Sequence, residues 1–136
     1  MAQWNIGITG ALYEGAYNFL IKQGAEPDNI ISLAVPGSYE LTAAADLALS
    51  KHKNLDAVIC IGCVIKGDTP HFEYICEAVS QGITNVGIKH TRPVIFGVLT
   101  TNTLEQAQER AGGKHGNKGE EAAASAILMC ELNYNL

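Results

Sequence analysis

One loop of the sequence combines residue types that could bind a phosphate and move a proton: Lys66-Gly67-Asp68-Thr69-Pro70-His71. Glycine lets a ligand approach the backbone closely, and proline suits the first turn of a helix, whose free amides can hold a phosphate. A histidine beside that phosphate could donate and accept protons near neutral pH, as imine formation, dehydration and phosphate loss all require. An isolated histidine in a first helical turn is more often simply solvated, so the neighbouring segments decide between these interpretations.

Polar and aromatic residues also follow two other apolar runs. After the first run, Ser38, Tyr39 and Glu40 place a hydroxyl, a ring and backbone amides at a predicted helix start. The same residues are typical of an ordinary helix entry, with Ser38 as the cap and Glu40 in the first turn. Phe96 lies in the third run, and Arg110 ends a later helix, where a guanidinium could hold phosphate or merely complement the helix dipole. Together these residues predict an enzyme acting on a phosphorylated metabolite and a planar partner, without naming the reaction.

The spacing of apolar residues predicts the elements that would position these side chains. Three runs bounded by turn-forming residues predict strands buried on both faces: 30–35, 57–65 and 94–99. Four stretches of helical spacing predict helices: 39–51, 72–82, 103–110 and 119–132. A glycine-rich loop at 112–119 joins the last two helices. This alternation is the pattern of an α/β fold, a three-layer α/β/α sandwich around a parallel sheet, in which ligands bind at the carboxyl ends of the strands.

The amino end of the chain departs from this pattern. Its apolar residues recur three and four positions apart: Ile8, Leu12, Ala16, Phe19 and Leu20. That spacing favours a helix capped by Asn5 over a short strand. Because a doubly wound sheet normally opens with a strand, either this sheet starts differently or its first strand is absent from this sequence. An absent first strand would leave a long unpaired sheet edge.

The composition indicates the class of protein. The 136 residues are in the size range of one domain, 1–136, and 47% hydrophobic against 17% charged residues excludes a disordered chain. A net charge of −5 without any run of Lys or Arg argues against a nucleic-acid partner. No apolar run reaches the roughly 18 residues of a membrane span, and no secretory signal is visible, so we expect a cytoplasmic protein without a membrane partner.

The cysteine pair Cys60 and Cys63 has the C-x-x-C spacing of redox and zinc sites. It lies inside a predicted strand, where residues three apart point to opposite faces, so the two sulfurs should diverge. A redox pair would instead lie at a helix start, where the thiol pKa is lowered. We therefore expect structural thiols and no metal site.

Four segments in order closely resemble the successive signatures of lumazine synthases: Val35-Pro-Gly-Ser-Tyr-Glu-Leu41, Gly62-Cys-Val-Ile-Lys-Gly-Asp-Thr-Pro-His-Phe-Glu-Tyr74, Pro93-Val-Ile-Phe-Gly-Val-Leu-Thr-Thr101 and Glu109-Arg-Ala-Gly-Gly-Lys-His-Gly-Asn-Lys-Gly119. Trp4-Asn5 and the helix after it resemble the family's aromatic-Asn motif. The resemblance implies a flavodoxin-like fold that is short at its amino end, since the family's strand before Trp4 is missing. It also implies the condensation of 5-amino-6-(D-ribitylamino)uracil with 3,4-dihydroxy-2-butanone 4-phosphate to 6,7-dimethyl-8-ribityllumazine, without a metal or redox cofactor.

The resemblance assigns roles to individual residues. At the pyrimidine and ribityl chain, the resemblance implies that Trp4 stacks on the ring and Phe96 closes the pocket. The implied lining is formed by the side chains of Ser38, Tyr39 and Glu40 and by the backbones of Cys63, Val64 and Ile65. Those implied at the butanone phosphate are Asp68, Thr69 and Arg110. His71 is implied to be the proton shuttle.

The resemblance also implies an assembly. Family members build each site between neighbouring subunits of a pentamer, so Phe96 and Arg110 are expected to face the other site residues across an interface. Some members assemble twelve pentamers into a shell of 60 subunits, and the compact 112–119 loop resembles that of the shell-forming members. Riboflavin synthase is a candidate partner. The alternatives are a non-catalytic lumazine- or flavin-binding shell protein and a flavodoxin-like carrier. A product binder has no need of a phosphate site, and neither a flavin-phosphate loop nor an acidic cluster is visible.

Overall fold

A computed structural model describes all of residues 1–136, with helices on both faces of a small parallel sheet. The α-helices are α1 Ile6–Lys22, α2 Leu41–Lys51, α3 His71–His90, α4 Leu104–Arg110 and α5 Lys118–Asn135. The strands are β1 Val58–Ile65, β2 Val94–Thr101, β3 Ala111–Gly113 and β4 Gly116–Asn117. Two short 3₁₀ turns span Pro27–Asn29 and Ser38–Glu40. None of the α-helices has the combination of length and apolar composition needed to cross a membrane.

The sheet separates two apolar cores. Strands β1 and β2 pair in parallel along their whole length, from Val58 opposite Val94 to Ile65 opposite Thr101. One core lies between the sheet and α1, α4 and α5: Ile8, Leu12, Ala16, Ile61, Cys63, Leu99, Ala107 and Ala123. The other lies between the sheet and α2 and α3: Leu41, Ala45, Leu49, Cys60, Val79, Ile83, Val86 and Val98. This arrangement confirms the predicted three-layer α/β fold.

The two cysteines of the C-x-x-C spacing lie in different cores. Cys60 packs with α2 and α3, whereas Cys63 packs on the opposite face of β1. Burial raises the pKa of Cys60 to about 12 and that of Cys63 to about 11. Both groups are therefore protonated thiols that pack as small apolar side chains, as the strand periodicity predicted.

The prediction of a strand over 30–35 is wrong. Only Val35 makes a ladder contact, a single parallel bridge with Ala2, and residues 30–34 have no neighbouring strand. An apolar run becomes a strand only where another strand pairs with its backbone groups. Here an apolar cavity of about 460 Å³, lined by Ile31, Leu33 and Ile59 among others, separates the run from β1.

Residues 1–3 fill one end of the space between the 30–35 run and β1. The amide of Ala2 donates to the carbonyl of Ile61 at 2.9 Å, and that of Gln3 donates to the carbonyl of Val35 at 2.8 Å. Beyond them the predicted amino-terminal helix is confirmed as α1. The prediction that Asn5 caps this helix is only partly right, because Asn5 occupies the cap position but its side chain bonds to β1 instead.

Helix α3 is longer than predicted, because Gly82 lies inside it. A Cβ atom at Gly82 would collide with the side chain of Thr42 on α2, so the glycine permits close helix packing and does not end the helix. Ile83 and Val86 beyond it are buried in the core. The predicted loop at 112–119 contains a small antiparallel hairpin, in which β3 and β4 pair Ala111 with Asn117.

Asp46 links α2 to the end of α3 and should make stability depend on pH. Hydrogen bonds from Lys89, at 2.7 Å, and from His90, at 2.6 Å, hold the pKa of Asp46 below its ordinary 3.8. Because the pKa of Asp46 is lower in the folded protein than in the unfolded chain, the ionised carboxylate stabilises the fold fully at pH values above its unfolded pKa. This stabilisation is lost as pH falls through its folded pKa. Asp46→Asn should therefore unfold earlier in urea than the wild type at about pH 5, with a smaller difference at about pH 2.5.

The control for this experiment is Glu14→Gln, which removes an exposed carboxylate that makes no ion pair. It should leave the urea midpoint unchanged at both pH values. An Asp46→Asn variant whose deficit stays constant between the two pH values would contradict the assignment.

Candidate functional site

The carboxyl end of β1 gathers three segments that are distant in the sequence. The 3₁₀ turn that begins at Ser38 lies against Gly62, where a Cβ atom would approach Ser38 Oγ to 2.5 Å. The ring of Trp4 lies over Gly37, where a Cβ atom would be 3.4 Å from Trp4 Cε3. The third segment is the loop that leads from Ile65 into α3. The glycine at position 62 allows the Ser38 turn to approach the strand this closely, whereas the Trp4 ring makes an ordinary van der Waals contact at Gly37.

Ten of the twelve residues predicted for the site belong to these segments or to the end of β1: Trp4, Ser38, Tyr39, Glu40, Cys63, Val64, Ile65, Asp68, Thr69 and His71. Glu40 Oε2 accepts a hydrogen bond from the amide of Gly37 at 2.9 Å, which fixes the turn. Tyr39 is exposed, and Ser38 Oγ is buried without a hydrogen-bond partner. Buried polar atoms are rarely left unpaired, and this hydroxyl is one of only two such side-chain atoms in the structure.

The loop after β1 presents polar groups to solvent. The side chains of Asp68, Thr69 and His71 are exposed and make no hydrogen bond within the chain. His71 is the first residue of α3, so it lies beside the free amides of the first helical turn. Lys66 Nζ lies 3.4 Å from Glu73 Oε1 and ties the two ends of the loop together. An anion at this helix start would meet unpaired donors and the positive end of the helix dipole.

Phe96 and Arg110, the other two predicted residues, lie in a different cleft. It has a volume of about 370 Å³ and runs along the edge of β2 that faces away from β1. Phe96 is 42% exposed there, and no residue of the β1 group lines this cleft. One chain therefore holds the two sets of predicted residues apart.

Arg110 is held by groups of its own helix. Its Nη1 donates to the carbonyl of Gln106 at 2.9 Å and lies 3.7 Å from Glu109 Oε2. A hydrogen bond from Lys114 and the nearby positive charges hold the pKa of Glu109 below its usual range, so this carboxylate stays ionised. The guanidinium is thus anchored on one side and open to the cleft on the other.

Sequence reasoning missed Lys118, which lines the same cleft as Arg110. It is the first residue of α5, and its Nζ lies 2.7 Å from Glu121 Oε2. A cation at a helix start opposes the helix dipole, and that unfavourable position is the signal that could have identified it.

The comparison with known families agrees with this geometry. Residues 1–134 match the family model described as 6,7-dimethyl-8-ribityllumazine synthase. The chain belongs to the lumazine synthase family. Curated lumazine synthases share its sequence at high coverage: that of Cytophaga hutchinsonii is 57% identical over 95% of this chain and 80% of its own length.

Two further lumazine synthases are similarly close. That of Parabacteroides distasonis is 54% identical over 98% of this chain and 82% of its own length. That of Aquifex aeolicus is 47% identical over 96% of this chain and 84% of its own length. Membership of this family confirms the resemblance drawn from the four sequence segments and the α/β fold that it implied.

Proposed function

We propose that this lumazine synthase chain condenses 5-amino-6-(D-ribitylamino)uracil with 3,4-dihydroxy-2-butanone 4-phosphate, forming 6,7-dimethyl-8-ribityllumazine in riboflavin biosynthesis. The family match over residues 1–134 carries the proposal. In the reaction an amine attacks a ketone, phosphate leaves, and the ring closes with loss of water. These steps need proton transfers and two reactants held together, and groups suited to both tasks lie at the carboxyl end of β1.

The pyrimidine half of the site is the group around Trp4 and Ser38. The Trp4 ring is 76% exposed beside the strand end, which leaves its face free to stack on a planar substrate. The Ser38 hydroxyl, the Glu40 carboxylate and the Tyr39 ring then bind the pyrimidine and its ribityl chain. Backbone groups of Cys63, Val64 and Ile65 line the floor.

The phosphate half combines the loop after β1 with a neighbouring subunit. Asp68, Thr69 and the first amides of α3 hold the phosphate, and His71 beside them shuttles the proton. Arg110 and Phe96 reach this site from the adjacent subunit, Arg110 to the phosphate and Phe96 to the pyrimidine. Their location in a separate cleft of the same chain supports this arrangement, because one chain does not bring the two groups together.

The shared site requires an oligomer, and we expect a homopentamer. Large apolar side chains remain exposed on the helices, including Tyr74 on α3 at 70%, Ile88 at 74% and Leu128 on α5 at 64%. Exposed large apolar side chains on helices of both layers are available for burial between subunits. The proposal extends to a cytoplasmic shell of twelve pentamers, with riboflavin synthase as a candidate partner.

Light scattering tests the oligomeric state. A pentamer of this 14.5 kDa chain should give a mass of about 73 kDa, and a shell of twelve pentamers about twelve times that. Electron microscopy would distinguish the hollow shell from free rings. A monomer that still forms lumazine at the full rate would contradict the shared site.

Arg110→Ala tests the phosphate half. Loss of the guanidinium should raise KM for the butanone phosphate about tenfold, because a charge-assisted hydrogen bond to phosphate is removed. KM for the pyrimidine should not change. Lumazine formation from the two substrates is followed by absorbance.

Arg92→Ala is the matched control, since Arg92 is exposed and its guanidinium bonds only to the carbonyl of Thr91. It should leave both KM values at the wild-type level. An unchanged KM for the butanone phosphate in Arg110→Ala would remove Arg110 from the site.

A further inference from the structure

The backbone of Asn5 has an unusual conformation next to Trp4. Its φ of 60° and ψ of 44° lie in the left-handed region, which only Thr91 shares among the non-glycine residues. This conformation costs roughly 1 kcal/mol for an ordinary residue and less for asparagine. It persists where the surrounding contacts enforce it.

Contacts of Asn5 with two elements enforce the conformation. The side-chain Nδ2 donates to the carbonyl oxygen of Cys63 at 3.1 Å, near the carboxyl end of β1. The backbone carbonyl accepts from the amides of Ile8, at 2.8 Å, and Thr9, at 3.0 Å, in the first turn of α1. Asn5 is therefore the joint between the sheet and the first helix, with its side chain on one and its main chain on the other.

This joint determines where the Trp4 ring lies. The amide of Trp4 donates to the carbonyl of Pro36 at 3.0 Å, and the ring rests on Gly37. The indole makes no hydrogen bond within the chain and is largely exposed, so side-chain contacts alone hold it weakly. The direction of the ring thus depends on the backbone turn that Asn5 fixes.

We propose that Asn5 is a positioning residue for pyrimidine binding. Through its hydrogen bond to Cys63, it holds the Trp4 ring at the level of the β1 carboxyl end, where the substrate ring stacks. This inference rests on the proposed function, because it takes the stacking partner to be the pyrimidine. Asn5 acts through Trp4 and needs no contact with the reacting atoms.

Two substitutions separate the hydrogen bond from the backbone conformation. Asn5→Gly retains the left-handed turn without strain but lacks the donor. Asn5→Asp retains the shape of the side chain, but an ionised carboxylate cannot donate to the Cys63 carbonyl. Both variants should therefore lose the fixed position of Trp4 while α1 still forms.

Trp4 is the only tryptophan of the chain, so its fluorescence reports this position directly. We expect lower anisotropy and faster acrylamide quenching in both variants. KM for the pyrimidine should rise about tenfold, as expected for loss of one well-placed contact, while kcat and KM for the butanone phosphate stay within about twofold. Thr91→Gly is the matched control, since it relieves the other left-handed residue far from the site and should leave every readout unchanged.

Two results would overturn the inference. If both Asn5 variants only lower the thermal midpoint, with wild-type anisotropy and KM, Asn5 has a structural role alone. If anisotropy falls while KM for the pyrimidine stays the same, Trp4 is positioned by Asn5 but does not serve pyrimidine binding.

Failure of the proposed function gives a different result, a folded wild type that forms no lumazine. In that case the Asn5 inference is tested by titrating Trp4 fluorescence with the pyrimidine alone. Quenching that saturates in the wild type and weakens about tenfold in Asn5→Gly supports it. Equal or absent quenching in both proteins overturns it.

Discussion

The Gly119→Ala variant is expected to lose about 3 kcal/mol of unfolding free energy, the upper part of the range for overpacked cores. A Cβ atom at Gly119 would overlap the backbone carbonyl of Leu12 on α1. Because the obstacle is main chain, no side-chain rotation can relieve it, and α1 would have to move away from α5. Gly119 is buried and Leu12 is fully buried in the core between these helices, so such a movement would open that core.

Gly7→Ala is the matched control for this experiment, because Gly7 lies in α1 with no atom within 4 Å of the added Cβ. Alanine is favoured over glycine in a helix, so Gly7→Ala should gain about 0.5 kcal/mol. Urea unfolding at a fixed protein concentration measures both variants, since assembly makes apparent stability concentration-dependent. A Gly119→Ala variant as stable as the wild type would show that α1 and α5 do not pack this closely.

The second large effect is expected in catalysis. His71→Ala should lower kcat about 100-fold, the low end of the range for loss of a general acid–base group. Turnover should not vanish, because holding the two substrates together is worth effective molarities of roughly 10⁵ M or more. His71 is exposed and makes no hydrogen bond in the chain, so the variant should fold with unchanged stability.

His52→Ala is the control, because His52 is also exposed but lies at the end of α2, away from the β1 site. Its kcat should equal that of the wild type. Two outcomes for His71→Ala would contradict the assigned role. One is an unchanged kcat, and the other is complete loss of turnover with normal folding and substrate binding.

Local sequence predicted those parts of the fold that depend on local pattern. Strands β1 and β2 and all five helices follow from apolar spacing, and the opposite faces of Cys60 and Cys63 follow from strand alternation. The run at 30–35 has the same composition as a buried strand but is not one here. A strand forms only where a neighbouring strand pairs with its backbone, and the residues of the run do not show whether such a neighbour exists.

The prediction of the site has the same limits. The β1 group was found because its residues follow a strand end, where a parallel sheet places its ligands. The conformation of Asn5 could not be predicted, because its left-handed turn is fixed by Cys63, 58 residues away in sequence. Gly82 was taken for a helix end, since the close approach of Thr42 from α2 is visible only after folding.

The most direct test of the shared site is activity after mixing two variants that are each defective in one half. His71→Ala and Arg110→Ala subunits would be unfolded together, reassembled in equal amounts and assayed at a butanone phosphate concentration well below KM. If each site takes His71 from one subunit and Arg110 from its neighbour, random assembly restores both residues at about one quarter of the sites. We therefore predict about 25% of wild-type activity, against about 10% for Arg110→Ala alone and about 1% for His71→Ala alone. Mixed assemblies whose activity equals the average of the two separate variants would contradict the shared site.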